Sequence, residues 1–133
     1  MSRTTSRATW LYIVNAGLLS THEIDSAFWH EWTLFRLPGG IQLFLVLNLV
    51  LLLVVLFGLQ RVVRWQRGAK VFSLALAAAG VFAFGIHTTF IALGHPEFRG
   101  PVSFAILTAT LLVSLIQAVV TIRCPKPTPS GGK

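Results

Sequence analysis

Residues 8–32 read ATWLYIVNAGLLSTHEIDSAFWHEW, an apolar run that turns polar with no proline to end it. Whether this stretch is one helix decides the fold. Its unbroken apolar part, residues 8–19, is about 12 residues, or roughly 18 Å of helix. A hydrocarbon core is about 30 Å thick, so that part alone does not cross it. The helix reaches across only if it continues to about Trp29. Continuing carries His22, Glu23 and Asp25 into the membrane or its outer interface.

The rest of the chain says membrane more loudly. Hydrophobic residues make up 54% of the 133, charged residues 11%, and mean hydropathy is +0.73. Soluble domains carry about 25% charged residues. Residues 41–59, 71–93 and 102–122 are each long and apolar enough to span. Arg3 and Arg7 before an apolar stretch resemble the start of a signal peptide. No small-x-small cleavage site follows, so the stretch reads as a retained first span. The expected fold is therefore all-α: an antiparallel bundle of four transmembrane helices. It forms one domain over residues 1–124, with spans at about 9–29, 41–59, 71–93 and 102–122. Residues 125–133, rich in Pro, Gly and Ser, read as a disordered cytoplasmic tail.

Basic residues set the orientation. Arg3 and Arg7 precede the first span, Arg61, Arg64, Arg67 and Lys70 lie between the second and third, and Arg123, Lys126 and Lys133 follow the fourth. The positive-inside rule places both termini in the cytoplasm. Trp10 and Trp65 then mark the inner interface; Phe28, Trp29, Trp32 and Phe35 mark the outer one. The net charge of +7 is topology signal and headgroup contact, and no nucleic-acid surface accompanies it. The expected surroundings are membrane lipids, in a bacterial inner (plasma) membrane, with a larger membrane complex or a homo-oligomer as further partners. Cys124 is the single cysteine, so no internal disulfide forms.

All four histidines and all four acids fall in two patches. One is His22-Glu23-Ile24-Asp25 with His30-Glu31; the other is His87 with His95-Pro96-Glu97. On a helical wheel Asn15, His22, Glu23, Asp25, Ser26 and His30 occupy an arc of roughly 160°. Polar groups in lipid need partners, so this arc should face the bundle interior. Ser103, Thr110, Ser114, Gln117 and Thr121 form a similar stripe on the fourth span. Counting about 1.5 Å per residue, His22, His87, Asn48 and Thr110 all reach the outer half of the bilayer.

Several chemistries suit these groups. Imidazole and carboxylate hold Zn or Fe. His22 and Asp25 share a helix face at i,i+3, and His87 supplies a ligand from another helix. These three are the expected metal ligands, with Glu23, His30, His95 and Glu97 as weaker candidates. Metal-free acid/base work on a lipid-like substrate is an alternative, with Glu23, Asp25 and His30 as catalytic candidates. Haem between His22 and His87 is a less favoured one. A further alternative is a non-catalytic accessory subunit or assembly factor of a membrane complex, in which the His/Asp cluster is structural hydrogen bonding. Phosphate-binding loops and nucleophile motifs are absent.

The segment 21–32, followed by Leu37-Pro38-Gly39-Gly40, resembles small bacterial four-helix membrane proteins. It is also loosely similar to the HXXEE family of bacterial membrane proteins. The match is His22-x-x-Asp25, with Ser26 standing where that family has its second acid. The resemblance covers roughly a fifth of the chain and implies no particular reaction.

Overall fold

No proline interrupts the first 37 residues, and the polar turn at His22 does not end the helix. In the computed structural model α1 runs unbroken over Arg3–Phe28. Three long helices follow: α3 (Ile41–Val63), α4 (Ala69–Ala92) and α5 (Pro101–Arg123), with a single-turn helix, α2 (Glu31–Leu34), between α1 and α3. The structure describes residues 3–95 and 100–126. The weaker candidate Glu97 and most of the expected tail, residues 127–133, lie outside the described residues. The described chain is all-α, and α3, α4 and α5 are each long and apolar enough to cross a membrane.

Side-chain pairs fix how the helices run. Tyr12 of α1 donates to the Val55 carbonyl of α3 at 2.9 Å, and Thr9 to that of Val62 at 3.5 Å, so α1 and α3 are antiparallel. On α5, Asn15 meets Ser114 and Gln117 while Asp25 meets Ser103, again antiparallel. Lys70 and Ser73 of α4 meet Ile122 and Thr121 of α5. Neighbours thus alternate in direction, as short connections require.

The core of α1, α4 and α5 is polar to an unusual degree. Asn15, Ser73, Ser114, Gln117 and Thr121 are fully buried. Asn15 Nδ2 donates to Ser114 Oγ at 3.0 Å and to Gln117 Oε1 at 2.8 Å. Gln117 Nε2 donates to the Ser73 carbonyl at 2.8 Å, and Ser73 Oγ shares a 2.7 Å hydrogen bond with Thr121 Oγ1. One side chain each from α1 and α5 therefore links three helices, as the wheel predicts for Asn15 and the Ser/Thr stripe. Asn15→Ala removes the centre and strands Gln117 and Ser114. A loss of about 1–3 kcal/mol is expected, read as a lower unfolding midpoint in detergent, with metal content unchanged.

The end of the bundle that carries Trp10 and Trp65 departs from the sequence reading at one residue. Trp10 is 65% exposed and suits an interfacial anchor, but Trp65 is 8% exposed and packs in the core with Ala8, Val62, Ala69 and Cys124. Its Nε1 donates to the Pro125 carbonyl at 3.1 Å. A left-handed backbone at Trp65, φ 46°, turns the ring inward, and nothing in the local sequence announces that. Burial pushes the Cys124 thiol up and keeps it in its thiol form.

Candidate metal centre

α1 ends at Phe28, and His30, two residues on, has a left-handed backbone (φ 55°, ψ 45°). Histidine is one of the few residues enriched in that conformation. The reversal starts α2 in a new direction. Glu31, its first residue, then turns into the bundle and is 8% exposed, while His30 itself stays exposed with its ring 5.0 Å from Trp32.

Inside, Glu31 meets two histidines. His22 of α1 and His87 of α4 are each 2% exposed. Their rings lie 4.5 Å apart, nearly perpendicular. His22, Glu31 and His87 each offer a ligand atom, and these atoms all lie within 4.8 Å of one another. His87 Nε2 is 3.4 Å from Glu31 Oε1. Ligands about 2.0–2.2 Å from a tetrahedral Zn²⁺ are about 3.3–3.5 Å from each other, so this pair already stands at ligand spacing.

The tautomer of His87 follows from its other nitrogen. Nδ1 is 2.7 Å from the Ala83 carbonyl one turn back. A carbonyl only accepts, so Nδ1 carries the proton. In the neutral ring, Nε2 then presents its lone pair to the Glu31 carboxylate. Two electron-rich atoms at that distance repel unless a positive centre lies between them, either a proton or a metal ion. An imidazole oriented through the N–H of its second nitrogen is how proteins prepare a metal ligand. Burial works to raise the Glu31 carboxyl; the nearness of His87 and Ser26 and positive charge on the imidazoles outweigh it only when His87 Nε2 also carries a proton. In that state Glu31 is held below the usual carboxylate range.

The other candidates lie elsewhere. Asp25, expected as the third ligand, instead accepts a hydrogen bond from Ser103 Oγ of α5 at 3.0 Å. Glu23 lines the same cavity as the three converging residues, beside Asn48 of α3. His95 stacks its ring edge-on against Phe90, 5.4 Å away, after the end of α4. Among the described residues, then, Glu23, Asp25, His30 and His95 are outside the converging group. Sequence reasoning missed Glu31 as a member of this group because a wheel assumes one continuous helix. The signal available was the pairing of His30 with Glu31 at the point where α1 runs out of apolar residues. The edge-on contact of the His22 and His87 rings leaves no space for a porphyrin plane between them.

A cavity of about 530 Å³ opens beside this group, between α1, α3 and α4. That size is usual for a small-molecule site. His22, Glu31 and His87 all reach its wall. Three protein ligands with a fourth side facing a cavity is the plan of reactive metal sites; structural sites are closed by four. Two histidines and one carboxylate suit Zn²⁺ or Fe²⁺.

A model of a family of unknown function (DUF6713) matches residues 8–124, which include every group that builds the site. No curated protein sequence and no solved structure matches the chain.

Proposed function

From the premise that the chain belongs to this family, we propose that it is a small integral membrane protein holding one divalent metal, Zn²⁺ or Fe²⁺, on His22, Glu31 and His87. The single observation that carries the reading is the approach of His87 Nε2 to within 3.4 Å of the Glu31 carboxylate, with Nδ1 of the same ring held by the Ala83 carbonyl. His22, Glu31 and His87 line the cavity, so a metal held by them would adjoin it and would supply Lewis-acid chemistry to a bound molecule. Glu23, on the cavity wall, is the acid/base candidate that such a molecule meets.

The protein crosses the bilayer four times, as one domain over residues 1–124, with both termini and the tail 125–133 in the cytoplasm of a bacterium. Support for α1 as a span comes from its partner. α1 contacts α5 from Thr4 against Cys124 to Asp25 against Ser103. It therefore runs beside the whole of a helix apolar enough to cross. At 26 residues it is about 39 Å long, enough to reach both interfaces. The same geometry that favours a metal also favours a proton shared by His87 and Glu31. In that second reading the cluster locks the helices of an accessory subunit of a membrane complex.

Elemental analysis of protein purified without chelators decides between them. About one zinc or iron per chain is expected, falling to background in His22→Ala. No transition metal in the wild type, with His22→Ala differing only in thermal stability, selects the structural reading. A reporter fused after Lys133 is expected to read cytoplasmic; a reading on the other side reverses the orientation.

A further inference from the structure

α3 touches the other helices near Phe44 and again from Val55 onward, where Tyr12 bonds to its backbone, and is more open in between. Its buried residues are Phe44 near one end and Gly58 and Val62 near the other, with none from 45 to 57. At the inner end the approach is close: a side chain at Gly58 would run into Tyr12 Oη and meet Phe72 at 3.0 Å. The cavity fills the gap between these two contacts. Leu49, Leu52 and Phe82 line it, yet they are 56%, 45% and 68% exposed. Its mouth therefore opens sideways, where a spanning protein meets lipid tails.

The cavity is also polarised along the helix axes. His22, Glu23, Glu31, Asn48 and His87 supply most of its polar lining, and they sit together at one end. Ala16, Val55 and Leu76 line the other end. From Asn48 to Val55 is about 10 Å along α3, and from His87 to Leu76 about 16 Å along α4. A slot with a polar head end, an apolar shaft of that length and a side door to the bilayer matches one class of molecule.

We propose that the cavity takes a single-chain amphiphile with an oxygen head group, of the fatty-acid class. Its chain lies between α1, α3 and α4 toward Val55 and Leu76. This rests on the metal reading for one point: the oxygen head takes the open coordination position at His22, Glu31 and His87. A divalent metal offsets the charge of Glu31, which alone would repel a carboxylate. Entry is lateral, past Leu49 and Leu52, so the molecule need not leave the membrane.

The test is photolabelling of the full-length protein in phosphatidylcholine vesicles, with a palmitic acid that carries a diazirine in mid-chain. Labelled peptides are expected to contain Val55, Leu76 or Ala79, and excess unlabelled palmitic acid should remove at least four-fifths of that label. Ala79→Phe grows a ring into the slot without touching the three ligands and should cut labelling at least fivefold. Leu52→Trp blocks the mouth from α3 and does the same if Ala79→Phe fails to fold. Label spread over Leu45, Leu112 and Leu115, lipid-facing residues outside the slot, and indifferent to competitor, overturns the proposal. Metal is measured on the same samples. A metal-loaded protein without competed label overturns the amphiphile alone. Competed label in the slot of a metal-free protein supports the slot and overturns the metal reading alone.

Discussion

Replacing His87 with alanine is expected to lower metal affinity by at least about 100-fold, which leaves the purified protein metal-free. Groups that only orient a ligand already cost about 10–100-fold when removed, and His87 is placed as a ligand itself. Glu31→Gln is expected to behave almost as severely. The amide keeps the size of the side chain but loses the charge that a divalent cation requires. Asp25→Asn provides the contrast. Its neighbour is Ser103 Oγ at 3.0 Å on α5, and an asparagine oxygen still accepts that hydrogen bond. Metal content should match the wild type, and stability should change by less than about 1 kcal/mol. Metal content of the three variants, measured after equal dialysis, checks the assignment. Loss of metal in Asp25→Asn together with retention in Glu31→Gln would restore the ligand set read from sequence.

Gly80→Leu is expected to destabilise the protein by about 3 kcal/mol or more, the largest effect on folding foreseen here. α4 and α5 are in close contact at this glycine. A Cβ there would collide with Ser114 Oγ and meet Thr110 Cγ2 at 3.0 Å. Ser114 cannot step aside freely, because it is fully buried and bonded to Asn15. Overpacking of this kind costs about 1–3 kcal/mol, and here it also breaks the hydrogen bonds that join α1 to α5. Helix propensity argues the other way, since a glycine inside a helix costs about 1 kcal/mol relative to alanine. Gly85, five residues on, isolates that term: nothing lies within 4 Å of a Cβ built there. Gly85→Ala should therefore leave the unfolding midpoint unchanged or raise it slightly. Paired denaturation curves separate the two positions, and equal destabilisation at both would show that α4 and α5 do not meet at Gly80.

How much of this was legible in the sequence depends on backbone continuity. Three long apolar stretches needed no subtlety. The inward face of α1 followed from Asn15, His22 and Ser26 falling on one arc of a wheel, and all three are buried. The pairing of His22 with His87 followed from counting rise per residue along two helices with the same direction. Glu31 did not follow, because its position depends on one left-handed residue, His30, and a helical wheel contains no such term. Trp65 failed for the same reason: a positive φ in a loop turned an expected interfacial anchor into a core residue. The cavity was invisible for a different cause. Apart from Asn48, α3 is apolar on every face through its middle, so its sequence gives no sign of how its middle sits against its neighbours. Periodicity finds which face is buried only when the faces differ.

X-ray absorption at the metal edge of the purified protein tests the central claim most directly, because it reads occupancy and ligands together. The expected spectrum has two imidazole nitrogens and carboxylate oxygen at about 2.0–2.2 Å, and the metal edge is expected to vanish in His87→Ala. A protein with no metal at the edge, or a coordination sphere without imidazole, would contradict the account. His87 and Glu31 would then share a proton and hold only each other.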